Sequence, residues 1–215
     1  MTTEGDDSTP KKSRPTAWLR AASDRVPTKW LAGIATAVFL AATAAFGGLA
    51  TAAAPEVATL EAGEEHRNDQ LAITVERAVL VDEFPEAGVY IEDGERVLAV
   101  VISVENQWSE PIVASASGSV AQSLQLEELA AAPPDSVARY DDATVSPTLQ
   151  PGVPVQLVLV WAVDAGQFID AQDLHFTVND MALHTGSFVA NGQWWTDPTE
   201  AATLTVTLDD IGAGA

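Results

Sequence analysis

Three histidines, His66, His175 and His184, and 31 acidic residues are the groups in this chain best suited to proton transfer or metal binding. Their spacing serves neither purpose. The histidines lack metal-ligand spacing, and no G-x-S-x-G, P-loop, H-E-x-x-H or G-x-G-x-x-G pattern occurs. Paired carboxylates such as Glu127-Glu128 are ordinary at this density of acids. A glycosidase needs two carboxyls across a cleft, one with its pKa raised by burial, and the strand pattern announces no such cleft. Neither an enzyme nor a cofactor is expected. Ca²⁺ is the one cation to consider, because Asp82-Glu83, Glu92-Asp93, Asp141-Asp142 and Asp209-Asp210 supply hard oxygen ligands. None of these pairs has the D-x-D-x-D-G loop spacing.

Aromatic side chains carry the remaining chemistry, which is recognition. Successive strand residues point to opposite faces, so one of Trp194 and Trp195 is expected inside and the other outside. Asn191-Gly192 reads as a two-residue hairpin turn, which would set Phe188 opposite Trp195 and Val189 opposite Trp194. Trp108, Phe188, Trp194 and Trp195 are therefore the candidate contact surface for a sugar or a partner protein. Trp161 lies mid-strand and reads as core, and His184 as a loop histidine.

What positions these groups begins with a run of 26 uncharged residues, Trp30 to Pro55, between Lys29 and Glu56. A spanning helix needs about 20 apolar residues, and Trp30, Leu31, Ile34, Val38, Phe39, Leu40, Phe46 and Leu49 supply the bulk of one. Six of the ten basic residues precede the run, which places the amino terminus in the cytoplasm. The 160 residues after it hold four arginines against 27 acids, a formal charge of −23, and are expected outside. Such a surface repels nucleic acid and anionic lipid. The rival reading is a signal peptide cleaved after Ala52 or Ala54; the long amino-terminal region, the long apolar stretch and Pro55 speak against it. Small residues four apart, such as Gly33 and Ala37, permit close helix packing but arise readily in so alanine-rich a segment. With no cysteine, neither an acylated cysteine nor a disulfide is available.

The expected organisation is a basic, disordered cytoplasmic tail over 1–29, a transmembrane signal anchor over 30–54, a linker over 55–69 and an outer domain over 70–215. In that domain the hydrophobic period is two: Leu71, Ile73 and Val75; Leu98, Val100, Ile102 and Val104; Val155, Leu157, Leu159 and Trp161. Shorter strands are expected at Ile112–Ala116, Val120–Leu126, Leu174–Val178, Ser187–Ala190 and Ala202–Leu208. Breaks are expected at Asp93-Gly94, Pro133-Pro134, Pro151-Gly152, Asn191-Gly192 and Asp197-Pro198. Glu127 to Val137 reads as a surface loop or one helical turn leading into a loop. Val97 to Ile102 and Val158 to Val163 are apolar on both faces, as central strands are. About seven or eight short strands without a long amphipathic helix make an all-β antiparallel sandwich.

The run Val97-Leu98-Ala99-Val100-Val101-Ile102-Ser103-Val104-Glu105-Asn106, then Ser109-Glu110-Pro111, and Leu149-Gln150-Pro151-Gly152 leading into Val155–Val163, resembles an uncharacterised immunoglobulin-like domain family. That family occurs in Gram-positive signal-anchored proteins and lipoproteins. The resemblance covers roughly residues 63 to 180, implies an immunoglobulin-like sandwich and implies no activity. The Trp194-Trp195 hairpin lies beyond it.

Taken together, these features point to a single-pass protein of the bacterial plasma membrane with its carboxyl-terminal domain outside. It would work by binding another envelope or transporter protein, without nucleic acid. Two other functions fit the same sequence: a glycan-binding module for wall polysaccharide that uses its tryptophans, and a passive spacer.

Overall fold

The computed structural model describes residues 28–45, 57–187 and 191–212. They belong to two compact units divided between Ala54 and Pro55. The first unit contributes one described helix, α1 (Thr28–Ala45). Its 18 residues rise about 27 Å, and the uncharged part from Trp30 onward only about 24 Å, against a hydrocarbon core of about 30 Å. Among the described residues, no helix is long and apolar enough to cross a membrane. The expected span is thus not met by α1 alone. Phe46 and Leu49, both proposed cleavage sites and residues 1–27 of the expected tail lie outside the described residues, while its last two residues, Thr28 and Lys29, begin α1. On α1 itself Trp30, Ile34, Val38, Phe39 and Leu40 are all exposed.

The second unit is a β-sandwich. Its strands are β1 (Ala58–Leu60), β2 (Glu65–Arg67), β3 (Leu71–Val81), β4 (Glu95–Asn106), β5 (Ile112–Val113), β6 (Leu124–Leu126), β7 (Ser136–Arg139), β8 (Thr148–Leu149), β9 (Pro154–Asp164), β10 (Asp173–Gly186) and β11 (Gly192–Gly212). One layer runs β6-β10-β11 with β1 parallel to β11, and the other runs β3-β4-β9-β7 with β2 on β3. β11 joins them: Gly192 to Thr207 pair with β10, after which Leu208 to Gly212 pair parallel with β3. β5 and β8 form a separate two-stranded sheet.

The alternating residues explain the layers. Leu71, Ile73 and Val75 from β3, Leu98, Val100 and Ile102 from β4, and Leu157, Leu159 and Trp161 from β9 meet Leu174, Phe176, Val178, Leu204 and Val206 in one buried core. A register shift between Val75 and Arg77 swaps the faces of β3, so Ala78 and Leu80 return to the same core. β4 and β9 each have a strand on both sides, as their two apolar faces required. Their second face forms another cluster, in which Val97, Ala99, Val101, Val158 and Val160 pack with Ala87 and Val89 of the β3–β4 connection. That connection turns through a 3-10 helix, Pro85–Ala87, and closes on Gly88, whose φ of +82° suits a residue without a β-carbon.

Several expectations are corrected. The described residues form eleven strands rather than seven or eight, and two of them lie in the expected linker 55–69. Val120 to Ser123 is a single helical turn, α2, because the Gln122 and Ser123 amides both donate to the Ser119 carbonyl; only Leu124–Leu126 is strand. Ile112–Ala116 shrinks to two strand residues. Asp197-Pro198 does not end β11. Asp180 pairs with Thr199 and Ala182 with Thr196, leaving Asp197 and Pro198 opposite Met181 alone, a bulge that accommodates the missing proline N–H.

Candidate functional site

β10 and β11 continue past the core as a two-stranded ribbon, and here the structure places the candidate contact residues. From Ala182 to Thr185 on one strand and Gly192 to Trp194 on the other every residue is exposed. The expected pairing of Trp195 with Phe188 is not made. Leu183 is opposite Trp195, His184 opposite Trp194, and Gly186 opposite Gly192, so the connection is the five residues 187–191 rather than a two-residue turn. Gly192, at φ +132°, belongs to the strand, which removes it from the turn. Ser187 lies outside the strand, and Phe188 lies outside the described residues.

The two tryptophans take opposite faces, as alternation demands. Trp195 is 9% exposed and meets Trp108 edge to face, with ring centroids 5.9 Å apart. This contact is the ribbon's foot on the sandwich. It depends on Gly118, whose α-carbon runs so close to Trp195 that a β-carbon there would lie 1.9 Å from the Trp195 carbonyl oxygen. Gln70, itself buried, holds the same loop by donating from Nε2 to the Gly118 carbonyl at 2.5 Å. Trp194 is 42% exposed, and its ring stacks at 18° on His184 with centroids 6.3 Å apart. Asp197 Oδ2 is 2.8 Å from His184 Nε2, so the bulge aspartate fixes the imidazole that backs Trp194. His184 is therefore a ribbon residue, not a loop histidine. Of the four proposed contact residues, Trp194 faces out, Trp195 and Trp108 form the support, and Phe188 is outside the described residues; Trp161, expected in the core, is buried there with its Nε1 donating to the Ala132 carbonyl.

The other two histidines are also paired with acids. His66 Nε2 on β2 lies 2.8 Å from Asp180 Oδ1 on β10, and Asn68 Nδ2 donates to the same oxygen at 2.6 Å, linking the two layers. His175 Nδ1 lies 2.8 Å from Glu128 Oε1. The hydrogen bond with Glu128 raises the His175 pKa above its usual 6.5, with Glu127 and Asp173 adding in the same direction. Because the folded value is raised, the pair's stabilisation is complete below the unfolded value and is lost as pH rises through the folded one. An NMR titration should find His175 protonated to higher pH than a free histidine, and Glu128→Gln should remove most of that difference.

Three of the four acid pairs proposed for Ca²⁺ have a member engaged by arginine. Arg96 binds Asp210 with both Nη atoms at 2.7 Å and reaches Asp82 at 3.0 Å, and its hydrogen bond holds the Asp210 carboxyl down to about 2. Arg139 binds Asp141 through Nε and Nη2. Among the described residues, no three His, Asp or Glu side chains converge as metal ligands would.

An uncharacterized β-sandwich protein from Clostridium difficile 630 is similar in structure, with a TM-score of 0.37 at 11% sequence identity over 73% of this chain and 97% of that one. No protein-family model and no curated protein matches the sequence.

Proposed function

We propose that this chain is a single-pass, membrane-anchored binding protein of the bacterial envelope, without catalysis, whose outer sandwich engages another envelope protein through the β10–β11 ribbon. The observation that carries this is the division of labour between adjacent residues: Trp195 is committed to the Trp108 support, while Trp194, braced by His184 and Asp197, is presented to solvent. A large, stiff aromatic held without rotamer freedom binds at low entropic cost. Anchoring rests on the uncharged sequence from Trp30 to Pro55 and on the uncovered apolar side chains of α1, which a lipid environment would satisfy. The immunoglobulin-like subclass and kinship with Gram-positive envelope domains belong to the same proposal, supported by the residues from Val97 to Asn106 and Leu149 to Gly152.

Alanine substitutions at the two tryptophans separate support from contact. Trp194→Ala should leave stability within about 0.5 kcal/mol and remove the partner captured after crosslinking in native membranes. Trp195→Ala should cost about 3 kcal/mol, because it empties a packed aromatic contact. Equal capture by wild type and Trp194→Ala would refute the contact role. Retention on purified cell wall that is lost in Trp194→Ala would instead assign the ribbon to glycan.

A further inference from the structure

The outer face of the β3-β4-β9-β7 layer carries an apolar groove that the ribbon does not use. Its floor crosses three strands, with Val79 from β3, Ala99 and Val101 from β4 and Val158 from β9, all nearly buried. Phe84 from the β3–β4 connection and Ile211 from the end of β11 also line it. The groove encloses about 190 Å³. A dry cavity of about 150 Å³ is enough for benzene, whereas whole cofactors occupy about 300–1,000 Å³, so this groove takes one ring or one short chain.

Its polar rim is selective. Four arginines serve the outer domain, and three of them, Arg67, Arg96 and Arg139, hold carboxylates. Arg77, the fourth, has no carboxylate partner among the described residues, in a domain where acids outnumber bases by 27 to four. The neighbouring Glu76 is engaged instead by the Gln156 amide, at 3.0 and 3.1 Å. The Arg77 guanidinium lies 5.8 Å from the centre of the Tyr140 ring, and its Nη2 donates to the Tyr140 hydroxyl at 2.9 Å. Since that hydroxyl oxygen is the acceptor, its own proton remains to be donated. Arg77 and Tyr140 thus present N–H and O–H donors together, and no described acceptor takes up the Tyr140 proton. Glu83, the acid on the lining, adjoins Phe84 in the chain. The overall charge of the domain opposes anions at long range, but physiological salt screens charges farther away than about 8 Å.

We infer that this groove binds a small monocarboxylic acid with an apolar body of about six to nine carbons, its carboxylate on Arg77 and Tyr140 and its body over Ala99 and Val101. The site stands on its own residues and does not depend on the ribbon's role.

The test is a ¹⁹F NMR titration of the full-length protein in lipid nanodiscs with 3-(4-fluorophenyl)propionate, set against the corresponding alcohol, with empty nanodiscs as baseline. The acid should bind with a Kd of about 1–10 mM, as its size allows. The alcohol, or the acid with Arg77→Gln, should bind about tenfold more weakly. Arg77 is exposed, so this variant should keep the wild-type near-ultraviolet circular dichroism. Ala99→Leu should fill the floor and abolish binding. Equal affinity for acid and alcohol, unchanged binding with Arg77→Gln, or no binding by the wild type would each overturn the inference.

Discussion

Gly118→Ala is expected to cost about 3 kcal/mol or more and to loosen the ribbon from the sandwich. Two effects add. Gly118 has φ +71°, a left-handed conformation that costs an ordinary residue about 1–2 kcal/mol. A new β-carbon would also sit 1.9 Å from the Trp195 carbonyl oxygen and 2.7 Å from its carbonyl carbon. Both contacts are with backbone, so no rotamer change relieves them, and either the Gly118 loop or β11 must move. The movement would part Trp195 from Trp108. Chemical denaturation should show the loss of stability, and near-ultraviolet circular dichroism should show the tryptophan pair disrupted. A variant with wild-type stability and spectrum would mean that the close approach does not position the ribbon.

Asn106→Ala should cost about 2–4 kcal/mol, a large effect for one polar side chain. Asn106 is fully buried at the end of β4 and uses all of its amide. Nδ2 donates to the Glu110 carbonyl at 2.8 Å and the Leu149 carbonyl at 3.1 Å, while Oδ1 accepts the Trp108 amide at 2.9 Å. Truncation would take the partner from three backbone groups, the buried Leu149 carbonyl and the part-buried Glu110 carbonyl and Trp108 amide, and a buried group left unpaired costs about 1–3 kcal/mol. It would also release the turn that carries Trp108, the ribbon's support. The loss should appear as a lower denaturation midpoint with an unchanged slope. A midpoint equal to that of the wild type would show that water replaces the amide at no cost.

Alternation made the long strands legible because one face of each is buried and the other is not. β4 and β9 could be read as central from residues such as Ala99, Val101, Val158 and Val160, whose second face packs under Ala87 and Val89. Short elements were opaque. Val120, Leu124 and Leu126 alternate like a strand, yet two amide bonds to the Ser119 carbonyl wind the first half into a helical turn. β7, a four-residue strand that begins two positions after Pro134, carries too little pattern to announce itself. At the ribbon, alternation correctly divided Trp194 from Trp195, but Asn191-Gly192 suggested a tight turn where the chain instead places Gly192 in the strand. Trp108 was legible as an aromatic, not as the partner of Trp195, because that contact depends on Gly118 and Asn106. Arg77 and Tyr140 stand 63 positions apart, and only their meeting across the folded sheet gives the groove a polar end.

The most direct test of the binding proposal is site-specific photocrosslinking in native membranes, with the reactive side chain at Thr185 on the ribbon and, as control, at Glu86 on the sandwich. The account predicts one discrete adduct with a membrane-resident protein from position 185, absent from position 86 and lost when Trp194→Ala is added. Identical adducts from both positions, or recovery of the chain from the medium with no membrane partner, would contradict it.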